Sequence, residues 1–337
     1  MSSPTITAVL LAAGKGTRMK SGKAKVLHEL FFKPMLHHVL DSVAAAEINT
    51  TAIIVGHQRE RVLDTLSRYT FTPVYQEEQL GTGHAVLCAE KACASSDLVM
   101  ILCGDTPLIR PATLNAMINQ HKRSNALLTL MTTRLDNPFG YGRIITNDAG
   151  YVSSIVEQKD ADNTQRAINE INAGIYLVDT GFLFTALKQV GTDNSQGEVY
   201  LTDIVAIAAD QGHKVHKFMH ETAIDVLGVN SRIELARAHQ ELQMRHNQEI
   251  MLSGVSMYSP ETTLIAPECS IGQDCVLEAG VQVINKTTIA TGVHLASGVL
   301  LDNCSLGEKC RIGANSVLRG CTVPDNTEIP PLTCKQE

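Results

Sequence analysis

The segment Leu11-Ala12-Ala13-Gly14-Lys15-Gly16-Thr17-Arg18-Met19 carries two glycines that let a backbone approach a ligand closely. Lys15, Arg18 and, slightly further on, Lys25 bring three cations to the same short stretch. Bare N–H groups beside positive charge suit a phosphate chain. The loop is not a Walker A motif, because no Gly-Lys-Ser/Thr closes it. Nor is it a dinucleotide fingerprint, because Met19 stands where the third glycine belongs. Gly14 and Gly16 alone fit a tight strand-to-helix turn equally well; the cations favour phosphate. Asp105 follows the apolar run Leu98–Leu102, and open α/β sheets place ligands beyond the carboxyl ends of their strands. The plainer reading of Asp105 is a cap on the turn before Pro107.

The elements that must position these residues follow from periodicity. Ile6–Leu11, Ala52–Val55, Leu98–Leu102 and Leu127–Met131 are short apolar runs of the kind buried on both faces of a sheet. Between them, Val39–Glu47, Glu60–Ser67, Ala85–Ala94 and Ala112–His121 have helical character, the last behind Pro111. This alternation predicts a Rossmann-like α/β domain with a mostly parallel sheet and helices on both faces, over residues 1–229. Ser231 and Glu234 have capping-box spacing and open a connecting helix over 230–252, with Gly254 just beyond it.

Residues 253–330 keep a different beat. Ile265, Ile271, Leu277, Val283, Ile289, Leu295 and Leu301 recur every six residues. After one five-residue step come Leu306, Ile312 and Leu318, and after another Val323 and Ile329. A fixed six-residue period predicts a parallel β-helix, and it cannot hold one face of a 3.6-residue helix.

The chain has 337 residues, beyond the size at which single cores stop growing. A net charge of −7 gives no general field for nucleic acid, and with no Trp and only 4% aromatics there is little for bases to stack on. The nine cysteines form no CxxC pair or zinc spacing, which points to reduced thiols in the cytoplasm. No apolar run reaches the length of a membrane span, and the N-terminus lacks the basic region of a signal peptide.

The Leu-x-x-Gly-x-Gly-Thr-Arg-Met run, with Lys25-Val26-Leu27, resembles the sugar-nucleotide pyrophosphorylases. Gln76-Glu77-Glu78-Gln79-Leu80-Gly81-Thr82-Gly83-His84-Ala85, Gly104-Asp105-Thr106-Pro107-Leu108 and Gly140-Tyr141-Gly142-Arg143-Ile144 narrow the likeness. So do Ile155-Val156-Glu157-Gln158-Lys159-Asp160, Glu170-Ile171-Asn172-Ala173-Gly174 and Gly228-Val229-Asn230. Together, over about residues 5–330, they resemble the bacterial bifunctional N-acetylglucosamine-1-phosphate uridylyltransferase/glucosamine-1-phosphate acetyltransferase family.

The resemblance implies a left-handed β-helix and a reaction that joins UTP to N-acetylglucosamine 1-phosphate, giving UDP-N-acetylglucosamine for cell-wall synthesis and pyrophosphate. It implies that Leu11, Ala12, Ala13, Gly14, Gln76, Gly81 and Thr82 hold uracil and ribose, and that Cys103 and Gly104 lie against the substrate. Arg18 and Lys25 would grip the triphosphate and act in catalysis with Asp105. Asp105 and Asn230 would bind Mg²⁺, and Gly142, Glu157 and Asn172 would line the sugar pocket. It also implies a homotrimer formed through the β-helix.

Two residues depart from the pattern. Ala24 stands where the family has Pro, which is expected to loosen the loop presenting Lys25, and Cys103 stands where it has Tyr. Family members continue the β-helix further, with the acetyltransferase's basic cluster and histidine in that continuation. No segment here matches it, and His294 has the character of a surface turn residue, so no acetyl transfer is expected. The alternatives are the same transfer to another sugar 1-phosphate, a β-helix acyltransferase, and a non-catalytic sugar-nucleotide sensor.

Overall fold

Nine strands, the central ones apolar, build one sheet in the computed structural model, which describes residues 4–336. In chain order the strands of this region are β1 (Ile6–Leu11), the short pair β2 (Glu29–Leu30) and β3 (Lys33–Pro34), which form a separate two-stranded sheet, then β4 (Thr50–Val55), β5 (Thr72–Tyr75) and β6 (Leu98–Cys103). They continue with β7 (Leu128–Arg134), β8 (Arg143–Thr146), β9 (Val152–Val156), β10 (Glu170–Asp179) and β11 (Val215–Met219). The sheet runs β11-β7-β10-β6-β1-β4-β5, with β8 and β9 on β10.

Alternate residues of the central strands enter different cores, as burial on both faces requires. Leu10, Ile53 and Leu102 join Leu36, Val39 and Met117 on one side. Val9, Ile54 and Ile101 join Leu183, Ile204 and Val205 on the other. The sheet is mixed. β1, β4, β5 and β6 are parallel, and β11 is parallel to β7, but β10 runs antiparallel to both β6 and β7. Strand–helix alternation alone does not reveal that reversal, because it lies in non-local pairing.

The parallel register explains why distant residues meet. Leu11 pairs with Ile54 and with Cys103, and Val55 pairs with Tyr75. The loops that follow β1, β4, β5 and β6 therefore all leave the same edge of the sheet, carrying Gly14, Gln58, Gln76 and Asp105.

Chain contacts divide the described residues into two units. One comprises residues up to Glu29 with Lys33–Glu234, and the other Leu30–Phe32 with the residues from Leu235 onward. The helix Arg232–Leu252 has its capping box: Glu234 N donates to Ser231 Oγ at 3.2 Å, and Ser231 N donates to Glu234 Oε2 at 2.9 Å. Within the second unit, Asn247 and Gln243 donate their amides to the Thr263 carbonyl, both at 2.8 Å, and so dock the helix on the first coil.

From Ser256 onward, strands of two or three residues stack in three parallel sheets. Their register matches the six-residue beat: Ile265, Val283, Leu301 and Leu318 form one column, Leu277, Leu295, Ile312 and Ile329 a second, and Ile271, Ile289, Leu306 and Val323 a third. This is the left-handed parallel β-helix of hexapeptide repeats.

The five-residue steps have a local cause. The corner after Val283 uses two left-handed residues, Asn285 and Lys286, whereas the corners after Leu301 and Leu318 use one each, Asn303 and Gly320. Buried thiols serve as corner donors; Cys275 and Cys310, for example, bond the carbonyls of Ala290 and Pro324 at 3.1 and 3.0 Å. Leu301 is fully buried in its column. Leu301→Ala is expected to cost about 2–5 kcal/mol in denaturant unfolding followed by circular dichroism, through lost burial plus a cavity. A loss below about 1 kcal/mol would contradict that packing.

Candidate active site

A crevice of roughly 400 Å³ opens at the strand-end edge and is lined by Leu11, Ala13, Gly14, Arg18, Lys25, Gln76, Gly81, Thr82, Cys103, Asp105 and Asn230. Eleven sequence-predicted residues thus meet in one place. Ala12 and Gly104 are not in the lining and instead hold its floor: Ala12 N donates to the Ile54 carbonyl at 2.9 Å and Gly104 N to the Leu11 carbonyl at 3.0 Å.

The glycine loop is shaped by what must approach it. Gly16 has φ +64°, and a Cβ there would fall 2.5 Å from Lys25 Cβ, so only glycine lets the Lys25 segment pack so closely. Gly81 has φ +116° and its missing Cβ would fall 2.5 Å from the Val199 carbonyl oxygen. The 80–83 turn is pinned there, with Val199 N donating to Leu80 O and Gly83 N to Val199 O, both at 2.8 Å. Ala24 does not loosen the loop before Lys25. Its N–H, which a proline lacks, donates to Gln58 Oε1 at 3.0 Å, and its side chain is buried.

Charge converges at the other end. Lys25 Nζ contacts Asp105 Oδ2 and lies 2.7 Å from Asn230 Oδ1, which also accepts from Arg18 at 2.7 Å. Val229 N donates to the Asp105 carbonyl at 2.8 Å and so ties the Asn230 segment to the β6 end. The Asp105 carboxylate and the Asn230 amide oxygen are hard donors that already face a cation, the Lys25 ammonium. That donor set fits Mg²⁺, which takes few protein oxygens and keeps its waters. Among the described residues no group of three or more His, Cys, Asp or Glu is placed to hold a metal ion.

Burial pushes the Cys103 thiol up to about 12, with the Asp105 charge adding to the effect. It stays protonated, so it is no nucleophile. Burial likewise pushes the Tyr141 phenol up to about 12, helped by Glu234 and Asp105.

Gly142, Glu157 and Asn172 lie outside that lining and form a second cluster beside Cys103. Asn172 N donates to the Gly142 carbonyl at 2.9 Å, and Cys103 Sγ donates to the Gly174 carbonyl at 3.7 Å. Arg143, only 2% exposed, clamps the turn by donating to Tyr141 O and, at 2.8 Å, to Gln158 Oε1.

Burial raises the Glu157 carboxyl above its ordinary value, and the charges of Asp160 and Asp203 raise it further. A carboxyl with a raised folded pKa costs no stability while protonated, and its ionisation destabilises the fold as pH rises through the unfolded and then the folded value. Glu157→Gln is therefore expected to melt higher than the parent near about pH 7.5, with the gain vanishing towards about pH 4. Thermal unfolding at both pH values checks this, and a variant that melts lower at the higher pH would contradict it.

Sequence reasoning assigned no role to Gln79, Glu198 or Tyr141. Gln79 donates to the Ala13 carbonyl at 2.8 Å and lines the crevice with Glu198. Gln79 and Tyr141 lie inside segments already singled out. Glu198 has no local signal, because the 194–203 segment reaches the site through long-range bonds with Leu80, Thr82 and Gly83.

Residues 7–241 match the model of the nucleotidyl transferase family. A protein of Desulfotalea psychrophila named bifunctional protein GlmU is 49% identical over 330 residues, which cover 98% of this chain and 97% of that one. Proteins of the same name from Pelobacter propionicus and Halalkalibacterium halodurans are 42% and 41% identical. Each match covers 97% of this chain, and 72% and 71% of theirs respectively. No helix among the described residues is long and apolar enough to cross a membrane. A glycine-lined crevice with cations at one end and this degree of likeness lead to one conclusion: the chain belongs to the nucleotidyl transferase family, in the group of the bifunctional protein GlmU.

Proposed function

We propose that the chain transfers the uridylyl group of UTP to N-acetylglucosamine 1-phosphate, forming UDP-N-acetylglucosamine and pyrophosphate. The observation that carries this reading is the convergence of Arg18, Lys25, Asp105 and Asn230 at the mouth of the glycine loop. Gln76 supports a uracil base. Its Nε2 faces the Gly81 carbonyl and His84 Nδ1, both at 3.2 Å, which leaves Oε1 to accept an imide N–H that cytosine and adenine lack.

The sugar phosphate is already anionic, so its attack on the α-phosphorus needs no general base. Lys25 and Arg18 hold the triphosphate and offset the charge that builds on departing pyrophosphate, while the loop backbone keeps the phosphates in line. Asp105 and Asn230 would hold Mg²⁺, which when bound neutralises phosphate charge. Glu157 and Asn172 are suited to the sugar's hydroxyls and acetamido group, and Gly142 allows a backbone contact.

Acetyl transfer by His294 is not proposed. Its two ring nitrogens already face Glu278 Oε1 at 3.0 Å and Arg311 at 3.3 Å. Leu264, Leu300 and Val317 are half-buried along one face of the coil stack, with the exposed Gln282 between the first two, and this partly apolar face supports a homotrimer formed through it. Nine thiols with no disulfide support a cytoplasmic setting.

Pyrophosphate release across UTP, dTTP, CTP and ATP with N-acetylglucosamine, glucose and mannose 1-phosphates tests the assignment. UTP with N-acetylglucosamine 1-phosphate should lead every other pair by at least about tenfold, a gap of roughly 1.4 kcal/mol; another pair in the lead would refute it. With acetyl-CoA and glucosamine 1-phosphate, no thiol release is expected.

A further inference from the structure

A regular strand places residues i and i+4 about 13 Å apart along its length. Asn172 and Tyr176 stand four apart in β10, yet Asn172 Nδ2 lies 2.6 Å from the Tyr176 hydroxyl. The cause is a bulge. In the antiparallel ladder with β7, Asn172 pairs with Thr132 but Tyr176 pairs with Leu130, so four steps on β10 oppose two on its partner. Gly174 turns the bulge at φ +74°, and Cys103 packs against it, its Sγ 3.2 Å from where a Cβ on Gly174 would sit. Bulges of this kind re-aim side chains next to sites.

The bulge also decides which way the Asn172 amide points. Gly174 N–H can only donate, and it lies 2.9 Å from Asn172 Oδ1. The oxygen must therefore face the backbone, and the nitrogen faces Tyr176. One Nδ2 hydrogen goes to the phenol oxygen, and the second is left in a fixed direction. The Tyr176 ring is 1% exposed and set in the core between the sheet and its helices, so the anchor itself does not move.

We propose that Tyr176 is a specificity-determining positioning residue, whose hydroxyl holds the Asn172 amide so that its remaining N–H meets an acceptor on the sugar's 2-substituent. An acetamido carbonyl is such an acceptor at the right chemical position; a 2-hydroxyl lacks its reach. This inference rests on the reading of the Glu157–Asn172 cluster as the sugar subsite.

The test is Tyr176→Phe in the full chain, alone and combined with Asn172→Ala. The KM for N-acetylglucosamine 1-phosphate is measured with saturating UTP, together with the inhibition constant of glucose 1-phosphate. Loss of one hydrogen bond should raise that KM about five- to tenfold. It should leave kcat within about twofold and leave the glucose 1-phosphate constant unmoved, so the preference falls by the same factor. With Asn172→Ala in place, Tyr176→Phe should have no further effect. KM and the inhibition constant do not depend on the fraction of folded enzyme. An unchanged preference, an equal loss for both sugars, or a Phe effect that survives the loss of Asn172 would overturn the inference alone. A parent chain that does not turn over N-acetylglucosamine 1-phosphate would overturn the subsite reading and this inference with it.

Discussion

Lys25→Ala is expected to lower kcat/KM for uridylyl transfer by about 10²–10³, equivalent to ~3–4 kcal/mol of lost transition-state stabilisation. The Lys25 side chain is only 12% exposed and its ammonium sits between Asp105 and Asn230. A charge so placed is poorly screened, so it would act strongly on phosphates bound in front of it as proposed. The variant keeps Cβ, the atom against which Gly16 packs, so the loop should retain its course. Arg18 also reaches Asn230, which explains why the loss should not be total. Steady-state kinetics with varied UTP decide the matter, and a fall smaller than about threefold would place the charge-bearing group elsewhere.

Asp105→Asn should be at least as damaging, about 10³-fold in kcat, and should also raise the Mg²⁺ concentration needed for half the maximal rate. The change keeps the shape of the side chain and leaves the backbone bond from Val229 N in place. It removes the carboxylate that contacts Lys25 and that, in the proposed site, would hold Mg²⁺. Its 20% exposure makes that lost charge harder for solvent to replace than one at the open surface. Magnesium titrations of parent and variant check this. Turnover that persists with an unaltered Mg²⁺ dependence would show that Asp105 merely caps its turn.

Local signals revealed those features that depend on one segment at a time. Ile6–Leu11 and Leu98–Leu102 are strands because continuous apolar runs suit burial on both faces. The columns of the β-helix follow from a beat that involves only neighbouring coils. The helix expected at Val39–Glu47 instead spans Met35–Ala44, because the buried His37 and His38 look polar in sequence. The helix expected at Ala85–Ala94 begins at Thr82 and breaks at Ala89.

What escaped the sequence depends on pairing across the fold. The reversal of β10, the Gln58 bond that secures Ala24 and the arrival of Glu198 beside Gly81 all join residues tens of positions apart. The Tyr176–Asn172 contact is short in sequence but needs a bulge that only β7 imposes. The charged end of the crevice was legible because its residues sit at strand ends and in a recognisable motif. Their mutual hydrogen bonds were not.

The most direct measurement is a crystal structure of the full chain with UTP and Mg²⁺. Density for the triphosphate along the Gly14–Thr17 backbone, with Lys25 and Arg18 on its oxygens and the base beside Gln76, is the predicted result. A nucleotide seated among the hexapeptide coils, with the strand-end crevice vacant, would contradict it.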